Sequence, residues 1–138
     1  MVHALREAYR VLKPNGLLLD LRPAKVHRRA GILAAGRWRL IGSLRESFDD
    51  DAAADRAVLQ VVKERLFRPG PRRRFQVDRL MDTMDEFEAW VEETVEEDPL
   101  AAHRRLIDRV GRALARAPQG AVIAVRGPLV LRVMTKQD

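Results

Sequence analysis

The sequence predicts an α/β domain: a mixed sheet flanked by helices and ending in an antiparallel hairpin. Three observations lead there. Leu17-Leu18-Leu19-Asp20-Leu21 is an almost unbroken apolar run of strand length, the pattern of a strand covered on both faces of a parallel sheet. Apolar residues recur at helical spacing in four other stretches. Near the end, Ala121–Val125 and Leu129–Thr135 flank Arg126-Gly127-Pro128, which reads as two strands and a turn. With 138 residues there is room for a single domain, residues 1–138.

Taken in order, Val2, Leu5, Tyr9 and Leu12 lie on one helical face, and Lys13-Pro14-Asn15-Gly16 stops that helix. Proline cannot continue a helix, and Asn-Gly supplies a turn with positive φ. The strand at 17–21 follows and Pro23 closes it. Residues 22–36, basic and then rich in Ala and Gly, read as a loop with room for a short helical turn. Trp38, Leu40, Gly42 and Leu44 alternate with Arg37, Arg39, Ser43 and Arg45, as in a half-exposed strand, although Ile41 breaks the polarity. Asp49-Asp50-Asp51 opens an amphipathic helix carrying Ala54, Val58, Val61, Val62 and Leu66, with its carboxylates at the positive end of the helix dipole.

Arg68-Pro69-Gly70-Pro71 breaks that pattern, and Phe75, Val77 and Leu80 read as a second short strand. Thr83 and Glu86 have capping-box spacing ahead of a helix carrying Met84, Phe87, Val91 and Val95. Asp98-Pro99 reads as a cap and first-turn proline for a helix carrying Leu106, Ile107, Val110 and Leu114, which Pro118-Gln119-Gly120 ends.

Composition removes whole classes of function. Without cysteine there is no disulfide scaffold, thiolate metal site or cysteine nucleophile. No apolar run approaches membrane-spanning length and no export signal opens the sequence, so a cytoplasmic location is expected. The net charge of +6 is unevenly distributed. Residues 1–45 hold ten Lys/Arg against two Asp/Glu, residues 68–80 five against one, and residues 81–98 none against nine. An acidic helix followed directly by a basic one fits intramolecular pairing as well as it fits an external partner.

The stretch Ala4-Leu5-Arg6-Glu7-Ala8-Tyr9-Arg10-Val11-Leu12-Lys13-Pro14-Asn15-Gly16-Leu17-Leu18-Leu19-Asp20 resembles class I S-adenosylmethionine-dependent methyltransferases. In that family an amphipathic helix runs into an R-V-L-K-P-G-G turn and then the fifth strand of the sheet. Asn15 stands where the family has glycine, a mild departure because asparagine tolerates positive φ. The resemblance covers about residues 1–23. It implies a partial Rossmann-like methyltransferase fold, with residues 37–100 as an insertion or elaboration and 101–138 as a helix and terminal hairpin that look like the family's last strands.

The glycine-rich turn and ribose-binding acid that the family uses for its cofactor precede this helix and have no counterpart here. No two of the eight glycines are two residues apart, so neither a G-x-G cofactor turn nor a P-loop can be formed. The resemblance therefore implies no cofactor for the isolated chain, and S-adenosylmethionine only if a missing N-terminal half completes it.

Arg22, Lys25, His27, Arg28 and Arg29 follow the strand at 17–21, where open α/β sheets bind ligands, and are the candidates for an anionic substrate. A solvated loop is the competing reading. Arg72-Arg73-Arg74 beside Phe75 has the composition of a single-strand nucleic-acid contact, or of an ordinary basic turn. Asp49-Asp50-Asp51 lacks a calcium-loop pattern and reads as helix capping. His3, His27 and His103 lack metal-ligand spacing, Ser43 and Ser47 have no recognisable base, and Trp38 and Trp90 read as core or interface anchors.

The expected function is that of a truncated or split methyltransferase C-terminal region without autonomous catalysis. The alternative is a basic module that binds nucleic acid or an acidic protein. An apolar strand at 17–21 without its family neighbour has an open edge, expected to be covered by a second copy of the chain, by a separate cofactor-binding chain, or by the strand near 38–44.

Overall fold

The computed structural model describes residues 1–94 and 99–137. Its elements are α1 (Val2–Val11), β1 (Leu17–Pro23), β2 (Arg29–Ala34), β3 (Arg37–Ser43), α2 (Asp49–Lys63), β4 (Phe67–Met81), α3 (Met84–Thr94), α4 (Pro99–Ala115) and β5 (Val122–Lys136). The chain is α/β, with a five-stranded antiparallel sheet and four helices among the described residues. It divides into two compact units, one of Met1–Lys25, Phe48–Phe75 and Leu129–Asp138, the other of Val26–Ser47 and Gln76–Pro128. The long strands β4 and β5 contribute a segment to each.

In the first unit the helix–turn–strand read from sequence is present. Leu5 of α1 is buried with Ala57, Val58 and Val61 of α2, Phe67 of β4 and Met134 of β5, and Val2, Tyr9, Leu12 and Leu18 pack on this cluster. Tyr9 meets Phe67 edge-on at 5.8 Å between ring centroids, and its hydroxyl donates to the Gln137 carbonyl at 3.1 Å. Asn15 takes φ 59°, and the Gly16 N–H closes the turn on the Lys13 carbonyl at 2.8 Å. β1 then runs antiparallel to the last residues of β5, from Leu17 opposite Thr135 to Pro23 opposite Leu129.

Three expectations for this unit are corrected. β1 is not buried on both faces of a parallel sheet: it pairs antiparallel, and its exposure alternates. Leu18 faces the core, whereas Leu17, Leu19 and Leu21 are 58%, 60% and 53% exposed. The strand at 38–44 does not cover β1; it is β3, paired with β2. Arg68-Pro69-Gly70-Pro71 does not precede a short strand at 75–80 but lies inside the fifteen-residue strand β4, α2 having ended at Lys63. Gly70 permits a close approach there, since a Cβ at this position would lie 3.0 Å from the Val133 carbonyl oxygen.

In the second unit β2 pairs with β3 on one side and with Val122–Arg126 of β5 on the other, antiparallel in both cases. Ala30, Ile32, Ile41, Leu44, Met81, Ile123 and Val125 form a buried cluster with Phe87, Trp90 and Val91 of α3 and Leu106, Ile107, Val110 and Ala113 of α4. The capping box at α3 is formed: the Glu86 N–H donates to Thr83 Oγ1 at 3.2 Å, and Glu86 Oε2 accepts from the N–H groups of Asp82 (2.7 Å) and Thr83 (3.4 Å). Val95 and Asp98, expected on the helix face and at the next cap, lie outside the described residues.

Two further corrections belong here. Residues 29–34 are a central strand rather than a loop; Ala30 is fully buried in the core, and Gly31 lacks a side chain where Trp38 packs against it. The terminal hairpin is one uninterrupted strand, β5. Gly127 has no positive φ; a Cβ there would meet the Arg28 side chain at 2.7 Å, so the glycine makes room for a neighbour instead of turning the chain.

Candidate functional site

The alternation of β1 places Asp20 and Arg22 on the same face, and the antiparallel register places Arg132 opposite Asp20. On α2, Asp51 and Asp55 are four residues apart and share a face. In the first unit these residues, with Lys25 and Arg72, line a cavity of about 30 Å³.

The geometry is that of a closed ion-pair network. The Arg22 guanidinium donates from Nε and Nη2 to the two oxygens of Asp20, both at 2.8 Å, and from Nη2 to Asp55 Oδ1 at 3.0 Å. Arg132 Nη2 donates to the same Asp55 oxygen at 3.0 Å, and Lys25 Nζ lies 2.8 Å from Asp55 Oδ2. A hydrogen bond from Lys25, acting against partial desolvation and reinforced by the charges of Arg132 and Arg22, holds the Asp55 carboxyl below its ordinary value. Burial works against the Arg22 charge, but the hydrogen bonds and charge of Asp20, joined by Asp55, outweigh it and raise the guanidinium pKa.

That chemistry does not suit catalysis. A carboxylate held below its usual range and shared among three cations is a poor base, and the cavity volume is close to that of one water molecule. The network ties β1, β5 and α2 together.

The five sequence candidates therefore separate. Arg22 and Lys25 meet on Asp55. His27, Arg28 and Arg29 belong to the second unit, each with its own engagement. Glu46 accepts from the Arg28 backbone N–H at 2.7 Å and from its Nε at 2.6 Å, while the Arg28 guanidinium lies 4.9 Å from the Trp90 ring centroid. The Glu46 N–H donates to His27 Nδ1 at 3.2 Å. The Arg29 and Arg126 guanidinium groups lie 5.7 Å and 4.4 Å from the Trp38 ring centroid, and the Trp38 Nε1–H donates to the Ala124 carbonyl at 3.1 Å. Both tryptophans are thus packing anchors, as their residue type suggested, with Trp90 stacked on Phe87 at 6.4 Å.

Arg72, Arg73, Arg74 and Phe75 are exposed on β4. Asp49, Asp50 and Asp51 occupy the first turn of α2. Among the described residues no group of three His, Asp or Glu side chains is placed to hold a metal ion, and no helix is long and apolar enough to cross a membrane. Sequence reasoning missed Asp20, Asp55 and Arg132. The i, i+2 alternation of Asp20 and Arg22 was the available signal; the partners on α2 and β5 had none. No protein-family model, curated protein or solved structure matches this chain.

Proposed function

We propose that the chain is methyltransferase-related, the C-terminal part of a Rossmann-like methyltransferase that does not catalyse methyl transfer by itself. One observation carries this reading: β1, the strand of the methyltransferase-like segment, is an edge strand. It pairs with β5 alone among the described strands, and it presents Leu17, Leu19 and Leu21 to solvent. Support also comes from the formed α1–turn–β1 unit with Asn15 at positive φ, and from the C-terminal strand β5 lying beside β1.

An apolar edge strand is an association surface. Its partner is a cofactor-binding chain or a second copy of this one. S-adenosylmethionine belongs to the completed assembly, because no glycine-rich turn in this sequence can approach it.

Calorimetric titration of the chain with S-adenosylmethionine should give no stoichiometric heat at micromolar protein, and tight one-to-one binding would overturn the reading. Light scattering coupled to size exclusion distinguishes the partners. A strictly monomeric species at micromolar concentration removes the homodimer and leaves the cofactor-binding chain.

The exposure of Arg72, Arg73, Arg74 and Phe75 on β4 favours a second reading, a basic surface for nucleic acid. Its signature is oligonucleotide binding that weakens steeply with salt; absence of binding at low salt removes it.

A further inference from the structure

The second unit holds a cleft of about 420 Å³, large enough for a small metabolite and quite unlike the water-sized cavity of the ion-pair network. The end of β3 and the start of α4 form its walls. Arg45, Arg105 and Arg109 line it, and no carboxylate does so among the described residues.

Local structure explains why these cations face the cleft. Gly42 lets β3 and α4 come close: a Cβ there would meet Leu106 Cδ1 at 2.7 Å and lie 3.7 Å from Arg109 Nη1. Arg109 donates from Nη2 to the Ile41 carbonyl, which anchors its guanidinium beside the strand. The buried His103 accepts the Arg45 N–H at Nε2, 2.8 Å away, and so fixes the backbone from which the Arg45 side chain extends. Neither Arg45 nor Arg105 takes part in an ion pair among the described residues. Ala101 and Ala102, in the first turn of α4, also line the cleft.

We infer that this cleft binds the phosphomonoester group of a small metabolite. Three guanidinium groups suit a doubly charged tetrahedral oxyanion, for which arginine is the preferred bidentate donor. The lining offers no aromatic ring other than the buried His103, so nothing there stacks a nucleobase. The inference stands on residues separate from the methyltransferase-like segment and does not depend on that reading.

Calorimetric titration of the whole chain with glycerol 3-phosphate at low salt tests it. The expected result is one-to-one binding in the sub-millimolar range, weakened at least about tenfold by Arg45→Gln or Arg105→Gln and unchanged by Arg79→Gln on the exposed part of β4. Arg45 and Arg105 are exposed, so their variants should keep the parent thermal midpoint. Absence of binding at millimolar ligand, binding insensitive to both cleft variants, or an equal loss with Arg79→Gln would each overturn the assignment. A dinucleotide phosphodiester binding as tightly through Arg45 and Arg105 would overturn the phosphomonoester class.

Discussion

The Trp38 indole occupies the space that a side chain at residue 31 would need: a Cβ on Gly31 would lie 2.6 Å from the ring and 2.4 Å from the Arg39 carbonyl oxygen. The register of β2 against β3 shifts between Ala30 and Gly31, and the indole reaches across to the Ala124 carbonyl on β5. Gly31→Ala must displace backbone as well as a ring. It is expected to destabilise the protein by about 1–3 kcal/mol, the range for overpacking a tight core. Urea unfolding with an unchanged m-value is the measurement, and a loss below about 0.5 kcal/mol would show that the strands separate freely.

Asp55 is the shared acceptor of Arg22, Lys25 and Arg132. Asp55→Asn should lower stability at neutral pH by about 1–3 kcal/mol, the scale of hydrogen bonds to charged groups. The sign of the pH effect follows from the lowered carboxyl pKa in the folded state. The stabilisation is fully present above the ordinary unfolded carboxylate value of about 4, and is lost as pH falls through the depressed folded one. The gap between parent and variant should therefore close in acid. A gap that stays constant down to pH 2 would mean that the charge of Asp55 plays no part.

Ala35 and Gly36 join β2 to β3 with φ 49° and 72°, positive at both central residues of a two-residue hairpin. Alanine tolerates that region poorly and asparagine well. Ala35→Asn is expected to raise stability by about 0.5–1 kcal/mol, a fraction of the left-handed penalty. A lower thermal midpoint in calorimetry would contradict this.

Thr83 Oγ1 is the acceptor for the Glu86 N–H at the start of α3. Removing it in Thr83→Ala should cost about 1 kcal/mol in guanidinium unfolding, as for other helix caps. A loss indistinguishable from zero would place the cap energy in Glu86 alone.

Leu19 stands on the solvent side of β1 and touches neither buried cluster. Leu19→Lys should leave monomer stability within about 0.5 kcal/mol of the parent while reducing the proposed association with a second copy or a cofactor-binding chain. A drop in stability without a change in association would mean that this face is internal packing.

What could be read from sequence divides along the reach of each signal. Asn15 after a proline, and Glu86 three residues past Thr83, act within one turn of chain, so α1, its stop and the start of α3 were legible. Ala30, Gly31 and Gly127 looked like loop and turn residues because small side chains usually mean that. Here Ala30 is buried in the core, and Gly31 and Gly127 make room for Trp38 and Arg28, facts that belong to the tertiary structure. Likewise Arg22 and Lys25 were visible as cations, but the residue that neutralises them sits thirty and more positions away on α2. Arg45, Arg105 and Arg109 share a cleft only because Gly42 lets a strand and a helix approach each other.

The exposed leucines of β1 carry a further consequence for handling the protein. Leu17-Leu18-Leu19-Asp20-Leu21 is a short apolar segment with an unpaired ladder of backbone groups, which is the composition that seeds cross-β stacking. Asp20 is its one interrupting charge, and it points to the same side as Arg22, leaving the three leucines of the other side as a continuous solvent-exposed apolar stripe. Concentrated without a partner, the chain offers a template for fibre growth in the very strand that carries the methyltransferase resemblance.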